Sequence, residues 1–286
     1  MVMSVATDPL GQLRSVLAGA VRSRVSTSDD AAIFTDEGPR WFAGDAVIRT
    51  VHGDASMFVG GLRALLLQAL HPLAMAGVAG HSGFRGDPWG RLQRTSRFIA
   101  MTTFGPADQA DALIQRIRRI HDSVKGTAPD GRPYAANDPH LLQWVHITEV
   151  DSFLRTHRRF GATTLTEAQY DAYVADEALV AEKIGVLDPP RTVAELREAM
   201  VAYRPELAGT PAARDTARYL LFTPPLPAVA KPGYALIAGA AIGTLPGFAR
   251  RMLRLPPPLP IADRLVGGVV GQLATRTMRW AITAPS

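Results

Sequence analysis

With 286 residues, 47% hydrophobic and 20% charged, the chain has the composition of a packed globular protein and not of a disordered one. It has no cysteine, which excludes disulfides, thiolate catalysis, zinc ribbons, iron–sulfur clusters and covalent c-type haem. The net charge of +5 comes from arginines scattered over every segment, with lysine only at Lys125, Lys183 and Lys231, so it argues against nucleic acid and leaves arginines to meet an anionic cofactor or substrate.

Met1–Val25 carries Asp8, Arg14, Arg22 and Arg24 and no apolar core of signal length, so a bacterial cytoplasmic location is expected. The apolar run Met57–Gly80 is interrupted by Arg63, Gln68, His71 and Pro72, which predicts a buried helix pair. Asp87-Pro88 puts a cap and a first-turn proline at the start of a helix that runs to Gly105-Pro106. From Asp108 to Lys125, the residues Ala110, Leu113, Ile114, Ile117, Ile120, His121 and Val124 recur at steps of three and four. They predict an amphipathic helix that stops before Gly126. Thr127–Asn137, with Asp130-Gly131, predicts a turn-rich connection.

Another helix opens at Asp138-Pro139 and closes at Phe160-Gly161. Capping boxes at Thr166/Gln169 and Thr192/Glu195 open two more. Gly233–Phe248 is uncharged, Gly-rich and shorter than a membrane span. It predicts a core helix, and Arg250-Arg251 beyond it leaves room for a peripheral membrane contact. The proline clusters Pro189-Pro190, Pro224-Pro225 and Pro256–Pro260 read as connectors inside one domain. No stretch alternates with period two and no internal repeat is present. The expectation is an all-α protein, one large multi-helix domain over residues 1–286.

Common catalytic signatures are absent: no Walker loop, no G-x-S-x-G elbow, no H-E-x-x-H, and no pair of Glu-x-x-His helices for a di-iron bundle. His146 and Glu149, three apart on one helix, could begin a metal site, but such a pair is more often a surface or core polar contact. His121 stands on an apolar stripe, where a core histidine with a hydrogen-bond partner and an axial haem ligand both fit. Arg116, Arg118 and Arg119 flank it and could meet propionates or water. Arg91, Arg94 and Thr95 share a helix face at i, i+3 and i+4, with Phe98 one turn further. That cluster is either a solvated helix end or a set of donors for an oxygen and a substrate carbonyl or carboxylate.

Arg91-Leu-Gln-Arg-Thr95-Ser-Arg-Phe, followed by Arg116-Ile-Arg-Arg-Ile-His121, resembles the catalytic core of the rubber oxygenases (latex clearing proteins). It is similar also to the wider MpaB-like group that holds the mycophenolic-acid-pathway oxygenase. Further pieces are Leu70-His71-Pro72, His81-Ser82, His121-Asp-Ser-Val-Lys-Gly126, Tyr134-Ala-Ala, Asp138-Pro-His-Leu-Leu-Gln-Trp-Val-His146, Gly185-Val and Leu245-Pro-Gly-Phe-Ala-Arg. The resemblance covers about residues 40–255. It implies a haem-b oxygenase with molecular oxygen as co-substrate, acting on an apolar small molecule, lipid or isoprenoid by double-bond cleavage or hydroxylation. His121 would be the iron ligand, with Arg118 and Phe98 beside the haem and Arg91, Arg94 and Thr95 on the distal side. Arg94 stands where rubber oxygenases have lysine, and an arginine cannot ligate iron as a neutral amine. The glutamate proposed as a base in rubber oxygenases has no match. Two other readings stay open: a non-haem metalloenzyme using His146, Glu149 and a further histidine, and a haem- or lipid-binding protein without turnover.

Overall fold

The computed structural model describes residues 31–81, 88–257 and 260–282. Within them lie thirteen α-helices: α1 Ala31–Thr35, α2 Val47–His52, α3 Ser56–Gln68, α4 Pro72–His81, α5 Pro88–Phe104, α6 Ala107–Ser123, α7 Pro139–Phe160, α8 Glu167–Ile184, α9 Val193–Ala202, α10 Pro211–Phe222, α11 Lys231–Thr244, α12 Gly247–Met252 and α13 Pro260–Ile282. The fold is all-α. Its β structure is one antiparallel hairpin, β1 Lys125–Thr127 with β2 Pro133–Ala135, in the register Lys125–Ala135, Gly126–Tyr134, Thr127–Pro133. The hairpin corrects the expectation of an unpaired connection after Thr127. The Asp130-Gly131 turn, with Gly131 at φ 86°, brings the two short extended pieces together.

The boundaries follow local chemistry. Asp138 caps α7 by accepting from the His140 N–H at 2.9 Å, with Pro139 at the first helical position. Thr166/Gln169 and Thr192/Glu195 form reciprocal capping boxes at the starts of α8 and α9. α8 ends at Gly185, whose φ of 117° is left-handed. The amide of Val186 then returns to the carbonyl of Ala181 at 2.9 Å, which turns the chain back under Leu142.

α3 and α7 make the most extensive helix–helix contact and form the centre of the molecule. Trp144, Ile147, Val150, Phe153 and Leu154 of α7 join Val59, Leu66 and Leu67 of α3 in one hydrophobic cluster that reaches from Phe42 to Ala274. α2 and α8 lie together on one side, α11 and α13 on another. The run Met57–Gly80 forms α3 and α4, bent by 105° at the break between them, and most of α3 is buried. Among the described residues no single helix is long and apolar enough to cross a membrane.

The core also holds a charge. Arg63 of α3 is fully buried; its guanidinium donates to Asp151 at 2.7 Å, to Ser152 Oγ at 2.6 Å and to the Thr244 carbonyl at 3.1 Å. One side chain thus ties α3, α7 and the end of α11. Burial works against ionisation of Asp151, but the guanidinium of Arg63 and that of Arg155 hold its carboxyl below the ordinary range.

Candidate active site

α6 carries the predicted stripe, with two corrections. Ala110 and Ile114 are buried, Leu113, Ile117 and His121 are partly buried, but Ile120 is half exposed. Steps of three and four from Ala110 through Leu113, Ile114 and Ile117 arrive at His121, and Ile120 falls off that face. Val124 lies outside the helix as its C-cap.

His121 sits in the last turn of α6, on the wall of a cleft of about 400 Å³. Arg118 and Asp122 share that wall; Leu142 of α7, Ile184 at the end of α8, and Val186 and Leu187 after it form its apolar side. The volume is within the range of small-molecule sites. Burial pushes the His121 imidazole below its usual pKa, against the opposing charge of Asp122, so the ring is neutral at neutral pH. Its Nδ1 is sealed from solvent and has no hydrogen-bond partner among the described residues. A buried ring nitrogen left this way is an atom that a bound group would satisfy. A neutral imidazole beside apolar side chains is the donor type that an axial haem site needs. Arg118 lies on the rim, where its guanidinium donates to the Lys183 carbonyl at 3.4 Å.

Tyr134 of the β-hairpin is held by close packing against three glycines. A Cβ on Gly126 would stand 2.7 Å from the Tyr134 hydroxyl, one on Gly80 3.0 Å from it, and one on Gly77 3.6 Å from its ring. Glycines from α4 and β1 thus form a cradle for this phenol, which gives a physical reason for the small residues around Gly77–Gly80 and at Gly126.

The predicted distal residues lie on α5. Arg94 and Thr95 are exposed, and Phe98, one turn on, is half buried against the main core. The side chain of Arg91 lies outside the described residues, as does that of His81. No hydrogen bond links His121 to Arg94 or Thr95 among the described residues.

His146 and Glu149 face a different neighbourhood. His146 is buried, its pKa driven down to about 4 by burial although the Glu177 charge opposes the shift, and its Nε2 has no partner among the described residues. Burial, with the Glu177 charge in second place, pushes Glu149 up to about 8, so it carries its proton at neutral pH. Glu177 itself belongs to a network that sequence reading missed. It contacts His52 Nε2 at 2.7 Å and accepts from the Tyr173 hydroxyl at 3.2 Å, while His52 Nδ1 meets Thr103 Oγ1 at 2.7 Å. Burial disfavours its charge, yet His52 holds the carboxyl below the ordinary range. These residues come from α2, α5 and α8, and no local spacing announces them.

As a metal pair, His146 and Glu149 gain no third ligand. Among the described residues the one group of three with metal-holding spacing is elsewhere, at His71, His140 and Glu206.

Residues 49–282 match the family model described as ER-bound oxygenase mpaB/B'/Rubber oxygenase, catalytic domain. The chain belongs to this family. No curated protein and no solved structure matches it. The match runs from α2 to the end of α13, so the helical frame, the cleft at His121 and the Tyr134 cradle all fall within an oxygenase catalytic domain of the MpaB/rubber-oxygenase type.

Proposed function

We propose that this oxygenase works with a non-covalent haem b and molecular oxygen, oxidises an apolar small molecule of the lipid or isoprenoid class, and holds the iron through His121. The observation that carries the reading is the state of that side chain: a neutral imidazole on an amphipathic helix, at a cleft with an apolar side, with a buried ring nitrogen that lacks a partner. When bound, the haem supplies the one-electron and oxygen chemistry that no amino-acid side chain offers.

The chain's own residues hold, orient and shield. Arg118, one turn before His121, would pair with a propionate, and Leu142, Ile184 and Val186 would supply apolar surface that keeps water from the macrocycle. Phe98 would add an aromatic wall. Arg91, Arg94 and Thr95, all donors, would orient dioxygen and a polar end of the substrate by hydrogen bonds aimed where negative charge develops. Arg94 offers a permanent cation and cannot be deprotonated to ligate iron.

The two groups of residues should separate on mutation. His121→Ala is expected to lose its haem, or to hold it displaced with an altered visible spectrum. Arg91→Ala and Thr95→Ala are expected to keep haem and lose turnover by about 10²-fold each, the effect of one oriented donor. Haem content is read by acid–acetone extraction, turnover by oxygen consumption with candidate isoprenoids and lipids. A folded His121→Ala protein with wild-type haem content and spectrum would move the ligand elsewhere, with His146 the next residue to replace.

A further inference from the structure

Outside the His121 cleft, three side chains that no local motif connects converge on one point. His71 precedes α4, His140 lies in the first turn of α7, and Glu206 closes the 3₁₀ turn Arg204–Glu206 after α9. Glu206 Oε2 is 3.3 Å from His71 Nε2, and its two oxygens are 3.0 and 2.8 Å from His140 Nε2. One donor atom from each residue lies within 4.8 Å of the other two. Metal–nitrogen and metal–oxygen bonds of about 2.0–2.2 Å in a tetrahedron separate neighbouring ligand atoms by about 3.3 Å. The carboxylate already stands near that spacing from both imidazoles, and the two imidazole donors lie within 4.8 Å of each other.

We propose that His71, His140 and Glu206 form a binding site for a divalent first-row transition ion of the zinc type, with solvent at the fourth position. Two imidazoles and one carboxylate are a ligand set suited to such ions, and one that leaves an open coordination position. The burial gradient agrees. His71 is fully buried and fixed among Trp144 and Tyr203, whereas the side chains of His140 and Glu206 are 50% and 37% exposed, so an ion can enter from solvent.

A supporting shell is also in place. Tyr203 stacks on the His140 ring with centroids 4.5 Å apart, and its oxygen lies 3.1 Å from His140 Nδ1. With a metal on Nε2, Nδ1–H donates to Tyr203, whose own hydroxyl donates to the His140 carbonyl at 2.8 Å or to Gln143 Oε1 at 3.2 Å. His71 Nδ1 accepts the Ala74 amide only at 3.4 Å, a weak first-turn cap of α4. Metal uptake at Nε2 moves the ring proton to Nδ1 and releases that amide. The ion would then pin the starts of α4 and α7 to the turn after α9. Pro139, next to His140 at the start of α7, lines the His121 cleft, so the pin steadies one wall of the candidate active site.

The test uses the purified full chain after chelation, titrated with Co²⁺ alone and with Zn²⁺ alone. The expected result is one equivalent bound, intense visible d–d bands with Co²⁺, displacement of Co²⁺ by Zn²⁺, and a rise in melting midpoint with Zn²⁺. Glu206→Gln and His140→Ala, both at partly exposed positions, should lose at least 10-fold in affinity, the lower bound for a lost contribution to a metal site. Circular dichroism confirms that each variant is folded, and His121→Ala should bind Co²⁺ like the wild type. Absence of stoichiometric uptake, or equal uptake by folded Glu206→Gln, overturns the proposal and leaves a carboxylate bridging two imidazoles by hydrogen bonds. Neither outcome bears on haem binding, which is read separately from the visible spectrum.

Discussion

Asp151→Ala is expected to lose about 3–5 kcal/mol of stability, because it strands the fully buried Arg63 guanidinium without its counter-charge. Arg63 would keep Ser152 and the Thr244 carbonyl, both neutral acceptors, and Arg155 would lose its partner as well. Removing both members of the buried pair, as in Arg63→Met with Asp151→Leu, should restore much of the loss, since apolar residues of similar volume leave no unpaired charge. Urea denaturation of the three variants checks this. A loss below about 1 kcal/mol for Asp151→Ala, the range of an exposed pair, would mean that water reaches the guanidinium.

The second large effect is on pH dependence, through Glu149. Its carboxyl pKa is raised from 4.5 to about 8 in the folded chain. Between those values the folded state binds the proton and the unfolded state has released it, so stability falls as pH rises. His146 runs the other way. Its pKa is lowered from 6.5 to about 4, so between those values the unfolded state binds the extra proton and stability rises with pH. The two slopes offset each other from about pH 4.5 to 6.5. Above 6.5 only the Glu149 slope remains, a fall of about 1.4 kcal/mol per pH unit up to about pH 8. Glu149→Gln keeps the size and removes the proton, so its stability should be flat over that window. Urea midpoints at pH 6.5 and 8 decide it: parallel falls in wild type and variant would show that Glu149 is ionised and solvated.

Much of the frame was legible because it is written locally. Asp138-Pro139, the boxes at Thr166 and Thr192, and the stripe Ala110–Ile114–Ile117–His121 each lie within a few residues, which is the range over which capping and helical period act. The β-hairpin was not legible. Lys125–Thr127 and Pro133–Ala135 are too short to show alternation, and they pair because Ala128, buried under the turn, and the cradle around Tyr134 hold them.

The candidate site divides in the same way. His121 stood out by its place on the stripe, and the family resemblance singled out the stretch around it. Glu177 did not, because its meaning depends on His52, 125 positions earlier, and on Tyr173 inside the core. His71 and His140 sit in motif pieces with no role attached, and Glu206 joins them across 135 and 66 residues respectively. Only tertiary packing could bring those three together.

The most direct measurement of the central claim is the visible absorption spectrum of the purified full chain, oxidised and then reduced with dithionite. A histidine-ligated haem b predicts a Soret band in both states and colour that passes wholly into acid–acetone, since no cysteine is present to anchor the macrocycle. Protein that is colourless and takes up no added haem would contradict the account.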